Sequence, residues 1–114
     1  MVHVLERAEV EVGLAAGKLT LVDALGESYY LQQHLPGAVN LVAEDVAGKA
    51  ARLLPDRDAA IVTYCSNVAC PNSGQVAAKL VQLGYTNVSK YAAGIQDWVE
   101  AGLPVETGAA KRVA

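Results

Sequence analysis

The chain has 114 residues, 53% hydrophobic and 18% charged, with nine Lys and Arg against twelve Asp and Glu for a formal net charge of −3. That length and balance describe one hydrophobic core and exclude both a disordered polar chain and a pair of full domains. Scattered basic residues in the minority form no stripe for phosphates, which argues against nucleic acid and membrane as partners.

Short apolar runs rich in Val and Leu alternate with stretches of helical spacing, the pattern of strands and crossover helices in a mostly parallel sheet with helices on both faces. Val2 to Leu5 reads as an edge strand, Ala8 to Ala16 as a short helix closed by Gly17, and Leu19 to Val22 as a buried strand with Asp23 at its carboxyl end. Asp23 is expected to cap the turn that follows. A polar stretch then carries Tyr29 and Tyr30, whose rings are expected to pack on the sheet, and is assigned no element. Leu35-Pro36-Gly37-Ala38 makes a turn and Ala38 to Leu41 a brief strand. Val46, Ala50, Leu53 and Leu54 share one helix face, which Pro55 and the Asp56-Arg57-Asp58 turn bring to an end. After the strand Ile61 to Tyr64, a helix opens near Asn72 with Val76, Ala77, Leu80 and Val81 as its buried stripe, Asn72 and Gln75 as a capping box, and Gly84 as its stop. Val88 to Tyr91 reads as a further strand. Ile95, Trp98 and Val99 form the packing face of a last short helix that ends at Gly102 and Pro104. Residues 1–106 make a single domain without internal repeats, and 107–114 a loose tail.

The chemistry sits where the buried strand ends. Cys65 follows it directly, and the uncharged loop Ser66, Asn67, Val68, Ala69, Cys70, Pro71, Asn72 and Ser73 leads to a helix N-terminus. Amide N–H groups and the helix dipole there favour negative charge, so the position suits a nucleophilic thiolate and cradles a bound anion or persulfide. A free cysteine near neutral pH is mostly thiol, with a pKa of about 8.5, and the loop holds no Lys or Arg to lower it. The sequence therefore predicts that backbone amides, the dipole and the hydroxyls of Ser66 or Ser73 keep Cys65 ionised and reachable. Ser66 and Ser73 otherwise read as loop and helix-start residues. Two cysteines a short loop apart are no disulfide framework for a small secreted fold. Cys70 is a candidate resolving thiol that attacks sulfur held by Cys65, or else a small residue filling the underside of the loop. Acidic residues arrive at Glu6, too early for a signal peptide, and no apolar run spans a bilayer, so a cytoplasmic protein is expected. Two cysteines and two distant histidines lack the spacing of a zinc site; no metal or organic cofactor is expected.

Leu21-Val22-Asp23, His34-Leu35-Pro36-Gly37-Ala38-Val39-Asn40, Val62-Thr63-Tyr64-Cys65, Gly94-Ile95-Gln96-Asp97-Trp98 and Gly102-Leu103-Pro104-Val105, in that order, resemble a rhodanese-type sulfurtransferase domain nearly end to end. The resemblance implies a three-layer α/β fold. It implies that Cys65 takes up a sulfane sulfur as a persulfide from thiosulfate, a low-molecular-weight persulfide or a sulfur-relay protein, and passes it to a thiophilic acceptor. The chain departs from the common pattern at three places. Ala24 and Leu25 stand where a valine and an arginine usually follow the aspartate, so a structural ion pair is absent. Ala93-Gly94 replaces a glycine pair. Pro71, Asn72 and Ser73 follow a second cysteine where a basic residue and a serine are usual. An uncharged loop holds the thiosulfate dianion less well than a basic one, which brings persulfide donors forward. Two other classes stay in view: a sulfur carrier or regulatory binding module without turnover, and a thiol phosphatase or arsenate reductase. No arginine lies between Cys65 and Leu83 to hold an oxyanion, which argues against the latter.

Overall fold

The computed structural model describes residues 2–109. Its elements in chain order are β1 (His3–Val4), α1 (Arg7–Ala15), β2 (Thr20–Asp23), α2 (Glu27–Gln32), β3 (Val39–Asn40), a short 3-10 helix (Ala43–Asp45), α3 (Val46–Leu53), β4 (Ile61–Tyr64), α4 (Asn72–Gln82), β5 (Val88–Tyr91) and α5 (Gly94–Glu100). The strands form one sheet in the order β1-β5-β4-β2-β3 with every pairing parallel. A parallel sheet is covered on both faces, so its central strands are apolar throughout rather than alternating, and all four residues of β4 are buried.

Strand alternation divides the core in two. Val22, Ile61 and Val88 point to the face covered by α3 and α4, where they meet Val46, Ala50, Val76, Ala77 and Leu80. Leu21, Val62, Tyr64 and Tyr91 point to the other face and meet Val10 of α1, Tyr30 of α2, and Ile95 and Trp98 of α5. Adjacent strands β4 and β5 thus send their following helices to opposite faces, which opens a crevice at their carboxyl ends. Asp23, Tyr64 and Tyr91 lie level across that edge of the sheet.

Most of the predicted elements are present, and the differences have local causes. The Tyr29-Tyr30 stretch is α2, a single polar six-residue helix held by tertiary contacts. Tyr30 is buried, stacks on His34 and donates its hydroxyl to the Ala38 carbonyl at 2.5 Å, whereas Tyr29 faces solvent. Only one ring of the pair therefore packs as expected. Val81 and Val99, placed on packing faces by spacing, are 38% and 41% exposed; α4 buries Ser73 together with Val76, Ala77 and Leu80 instead. Asn72 and Gln75 form no capping box: Pro71 takes the cap position with no side-chain bond, and Asn72 spends its amide on the Ala24 carbonyl at 3.2 Å. A capping box does form at α1, between Glu6 and Glu9. Gly17 and Gly84 close α1 and α4 with φ of 68° and 96°, the left-handed conformation that stops a helix. The tail expected from Thr107 is described only to Ala109, where the Gly108 amide donates to the Leu31 carbonyl; 110–114 lie outside the described residues. No helix among the described residues is long and apolar enough to cross a membrane.

Candidate functional site

Cys65 is the first residue after β4, and the loop it opens is pinned by its own carbonyls. The Cys65 oxygen accepts from the Ile95 amide at 2.9 Å and the Ser66 oxygen from the Gln96 amide at 3.0 Å. In a trans peptide the N–H points opposite to the preceding C=O, and no cis peptide is present among the described residues. With both carbonyls turned toward α5, the amides of Ser66 and Asn67 point away from that helix. Gly94 permits this approach: its φ is +72°, and a Cβ there would sit 2.5 Å from the Cys65 oxygen and 2.6 Å from the Ser66 oxygen. Ala93, which replaces the other glycine of the pair, has an ordinary φ of −65°, so the substitution costs nothing in backbone strain.

Further bonds hold the loop at its middle and end. The Asn67 side chain accepts from the Ala69 amide at 3.0 Å and donates to Gln96 Oε1 at 3.0 Å, while the Cys70 amide donates to the Asn67 carbonyl at 3.0 Å. Asn72 reaches across to Ala24, and Thr63 Oγ1 donates to the Ser73 carbonyl at 2.9 Å, tying the start of α4 to β4. Val68, 79% exposed, forms the outer tip, and Ala69 and Pro71 also face solvent.

Both thiols are free, and Cys65 Sγ donates to the Cys70 carbonyl at 3.3 Å. Cys65 is 2% exposed. Burial pushes its thiol up, the neighbouring Cys70 adds to the rise, and the amide and hydroxyl of Ser73 oppose it. Burial alone raises Cys70 as well. The Cys65 thiol, the amides of Ser66 and Asn72, and the Ser66 hydroxyl outweigh it and hold Cys70 below the ordinary thiol range. This corrects the expectation of an ionised and reachable Cys65. The two thiols are thus pushed in opposite directions, the sealed one up and the more exposed one down, because the converging donors are divided between two sulfurs and favour Cys70. Ser73 is more than a helix-start residue: it is 3% exposed and offers both of its donors to Cys65.

Asp23 is structural, as expected. Its Oδ1 accepts from the Leu25 amide at 2.8 Å and its Oδ2 from the Tyr64 hydroxyl at 2.8 Å, and Tyr64 in turn accepts from the Leu35 amide at 3.0 Å. The aspartate is thereby satisfied without the arginine of the common pattern. Burial raises its carboxyl pKa, with those two donors and the nearby His34 opposing. His34 Nδ1 lies 2.8 Å from the Tyr30 carbonyl, and Trp98 packs edge-on against Tyr91 while donating to the Pro104 carbonyl at 2.8 Å; neither approaches the loop through these bonds. A shallow depression of about 380 Å³ beside the loop is lined by Asn67, Val68, Ala93, Gln96, Asp97 and Glu100, so its only formal charges are acidic. Arg7 pairs with Asp97 at 2.9 Å. Gln96, the backbone of Ile95 and the Tyr64 hydroxyl are site-forming groups to which the sequence assigned no role. Gly94 was visible as part of a motif, but nothing local identified its contact with the Cys65 carbonyl.

The Rhodanese-like domain family matches over residues 6–101. The chain is 36% identical over 103 residues to an HTH-type transcriptional regulator of Mycobacterium tuberculosis, covering 90% of this chain and 44% of that protein. It is 33% identical over 76 residues to a thiosulfate sulfurtransferase of Escherichia coli, covering 67% of this chain and 70% of that one. Among solved structures, a thiosulfate sulfurtransferase from Pseudomonas aeruginosa superposes with a TM-score of 0.83 at 25% identity, over 94% of this chain and 20% of its own. The chain thus spans less than half of the regulator's length.

Proposed function

The chain belongs to the rhodanese-like domain family, and on that premise we propose that it is a sulfurtransferase whose Cys65 carries sulfane sulfur as a persulfide. The observation that supports this most is the placement of Cys65 at the carboxyl end of β4, with the amide and hydroxyl of Ser73 directed at its sulfur from the first turn of α4. In loading, Cys65 gives up its proton and the thiolate attacks the outer sulfur of the donor. The donor's S–S or S–SO₃ bond breaks, with a thiolate or sulfite departing. Ser73 and the amides of Ser66 and Asn67 stabilise the persulfide anion; residues 66–73 as a whole form the substrate-binding loop. An acceptor then attacks the outer sulfur and the Cys65 thiolate departs.

Sealed at 2% exposure, Cys65 is reached only when the loop shifts, so loading is gated by the segment around Val68 to Cys70. A loop without Lys or Arg beside an acidic depression favours a low-molecular-weight persulfide or a sulfur-relay protein over the thiosulfate dianion. A second reading, a sulfur-carrying regulatory module without turnover, is favoured by the similarity to a transcriptional regulator.

Intact mass after exposure to thiosulfate or cysteine persulfide tests the proposal. The wild type is expected to take up one sulfur atom at Cys65, read as the added mass or as the sulfide into which it is released, and Cys65→Ser none. Repeated consumption of cyanide or a thiol acceptor supports the enzyme, and a single turnover supports the module. A wild-type chain unchanged by either donor, and releasing no sulfide, refutes both.

A further inference from the structure

We propose that the Cys65–Cys70 pair gives the persulfide a second, reductive outlet, in which Cys70 attacks the inner sulfur, hydrosulfide leaves and an internal disulfide remains. This rests on the reading of Cys65 as the persulfide carrier. The argument begins with access. The inner sulfur belongs to Cys65, a residue that is 2% exposed, so external nucleophiles meet the outer sulfur first, which leads to transfer. Cys70 is placed beside the inner atom: its carbonyl lies 3.3 Å from that sulfur, and it packs against the core cluster that holds Cys65. The turn made by the Cys70 amide on the Asn67 carbonyl holds this arrangement, and an attacking group held so near acts at high effective concentration.

The step balances without an outside oxidant. The Cys70 thiol passes its proton to the outer sulfur of the persulfide anion, its own sulfur forms a bond to Cys65 Sγ, the bond from Sγ to the outer sulfur breaks, and that sulfur leaves as HS⁻. The two cysteine sulfurs are each oxidised by one electron and the sulfane sulfur is reduced by two. The amides of Ser66 and Asn72 lower the Cys70 thiol, which eases the loss of that proton. A dithiol reductant restores both thiols by exchange. The chain accordingly splits its product by acceptor class: soft nucleophiles collect sulfane sulfur, and dithiols collect sulfide.

The test uses whichever donor, thiosulfate or cysteine persulfide, loads Cys70→Ser, under anaerobic conditions so that the donor is the only oxidant. Wild-type protein is expected to release one sulfide per chain above the Cys65→Ser background. It should end two hydrogens lighter, with both cysteines resistant to alkylation until a dithiol is added. Cys70→Ser is expected to keep the added sulfur and release sulfide about tenfold more slowly or less. Wild-type protein that retains the extra sulfur and releases no sulfide overturns the reductive outlet and leaves the carrier intact. Absence of any added sulfur on Cys70→Ser, together with no sulfide from the wild type, overturns the carrier and the outlet with it.

Discussion

Replacing Gly94 by alanine tests whether the clamp of α5 on the loop is what builds the site. At φ of +72° an alanine carries the left-handed penalty, about 1–2 kcal/mol. Its Cβ would also stand 2.5 Å from the Cys65 oxygen, 2.6 Å from the Ser66 oxygen and 2.7 Å from the Ser66 carbonyl carbon, all backbone atoms with no rotamer to yield. Moving them apart stretches the bonds from Ile95 and Gln96, each contributing about 0.5–1.5 kcal/mol net. Together these amount to about 2–5 kcal/mol, a large share of the roughly 5–15 kcal/mol that holds a domain of this size folded. Gly102 is the control, since its φ of +77° carries the same conformational penalty while a Cβ there meets nothing within 4 Å. Urea denaturation should show Gly94→Ala losing about 1–3 kcal/mol more than Gly102→Ala. Sulfur uptake at Cys65, followed by intact mass, should slow about tenfold or more in Gly94→Ala and stay at the wild-type rate in Gly102→Ala. Equal stability losses and equal uptake in the two variants would refute the claim that these carbonyls direct the loop.

Tyr64→Phe strips one oxygen of Asp23 of its donor and the buried Leu35 amide of its acceptor, and should cost about 2–4 kcal/mol by urea denaturation; a loss under about 1 kcal/mol contradicts the network. For Asp23 itself, burial raises the folded carboxyl above its ordinary 3.8, so the folded chain holds that proton more tightly than the unfolded one. Its contribution is fully present below the unfolded value and is lost as pH rises through the folded value, so wild-type stability measured against Asp23→Asn should decline from acid toward neutral pH. A difference that does not change with pH contradicts this. Cys70, the more exposed sulfur with the lower pKa, should be alkylated well before Cys65 at neutral pH. In Cys70→Ser the two influences of Cys70 that raise Cys65 disappear, and alkylation of Cys65 should begin at lower pH than in the wild type; an unmoved profile shows that Cys70 does not raise Cys65.

Much of the architecture was legible in short windows of sequence, because burial on both faces of a parallel sheet demands unbroken apolar runs and helix ends demand residues tolerant of positive φ. Ile61 to Tyr64 announced the central strand, Gly17 and Gly84 the helix stops, and the placement of Cys65 immediately after β4 followed from the same pattern. The α2 helix was not legible, since six residues from Glu27 to Gln32 are too few to show a periodicity and their order comes from Tyr30 reaching Ala38 and His34. Nor was the division of donors between the thiols. Local sequence showed two cysteines in a neutral loop at a helix start. Which of them is sealed, and which collects the amides of Ser66 and Asn72, depends on carbonyls turned toward Ile95 and Gln96, some thirty residues further along. The direction of a peptide dipole and the depth of a sulfur are properties of packed neighbours, so tertiary structure alone decides which thiol is pushed up and which down.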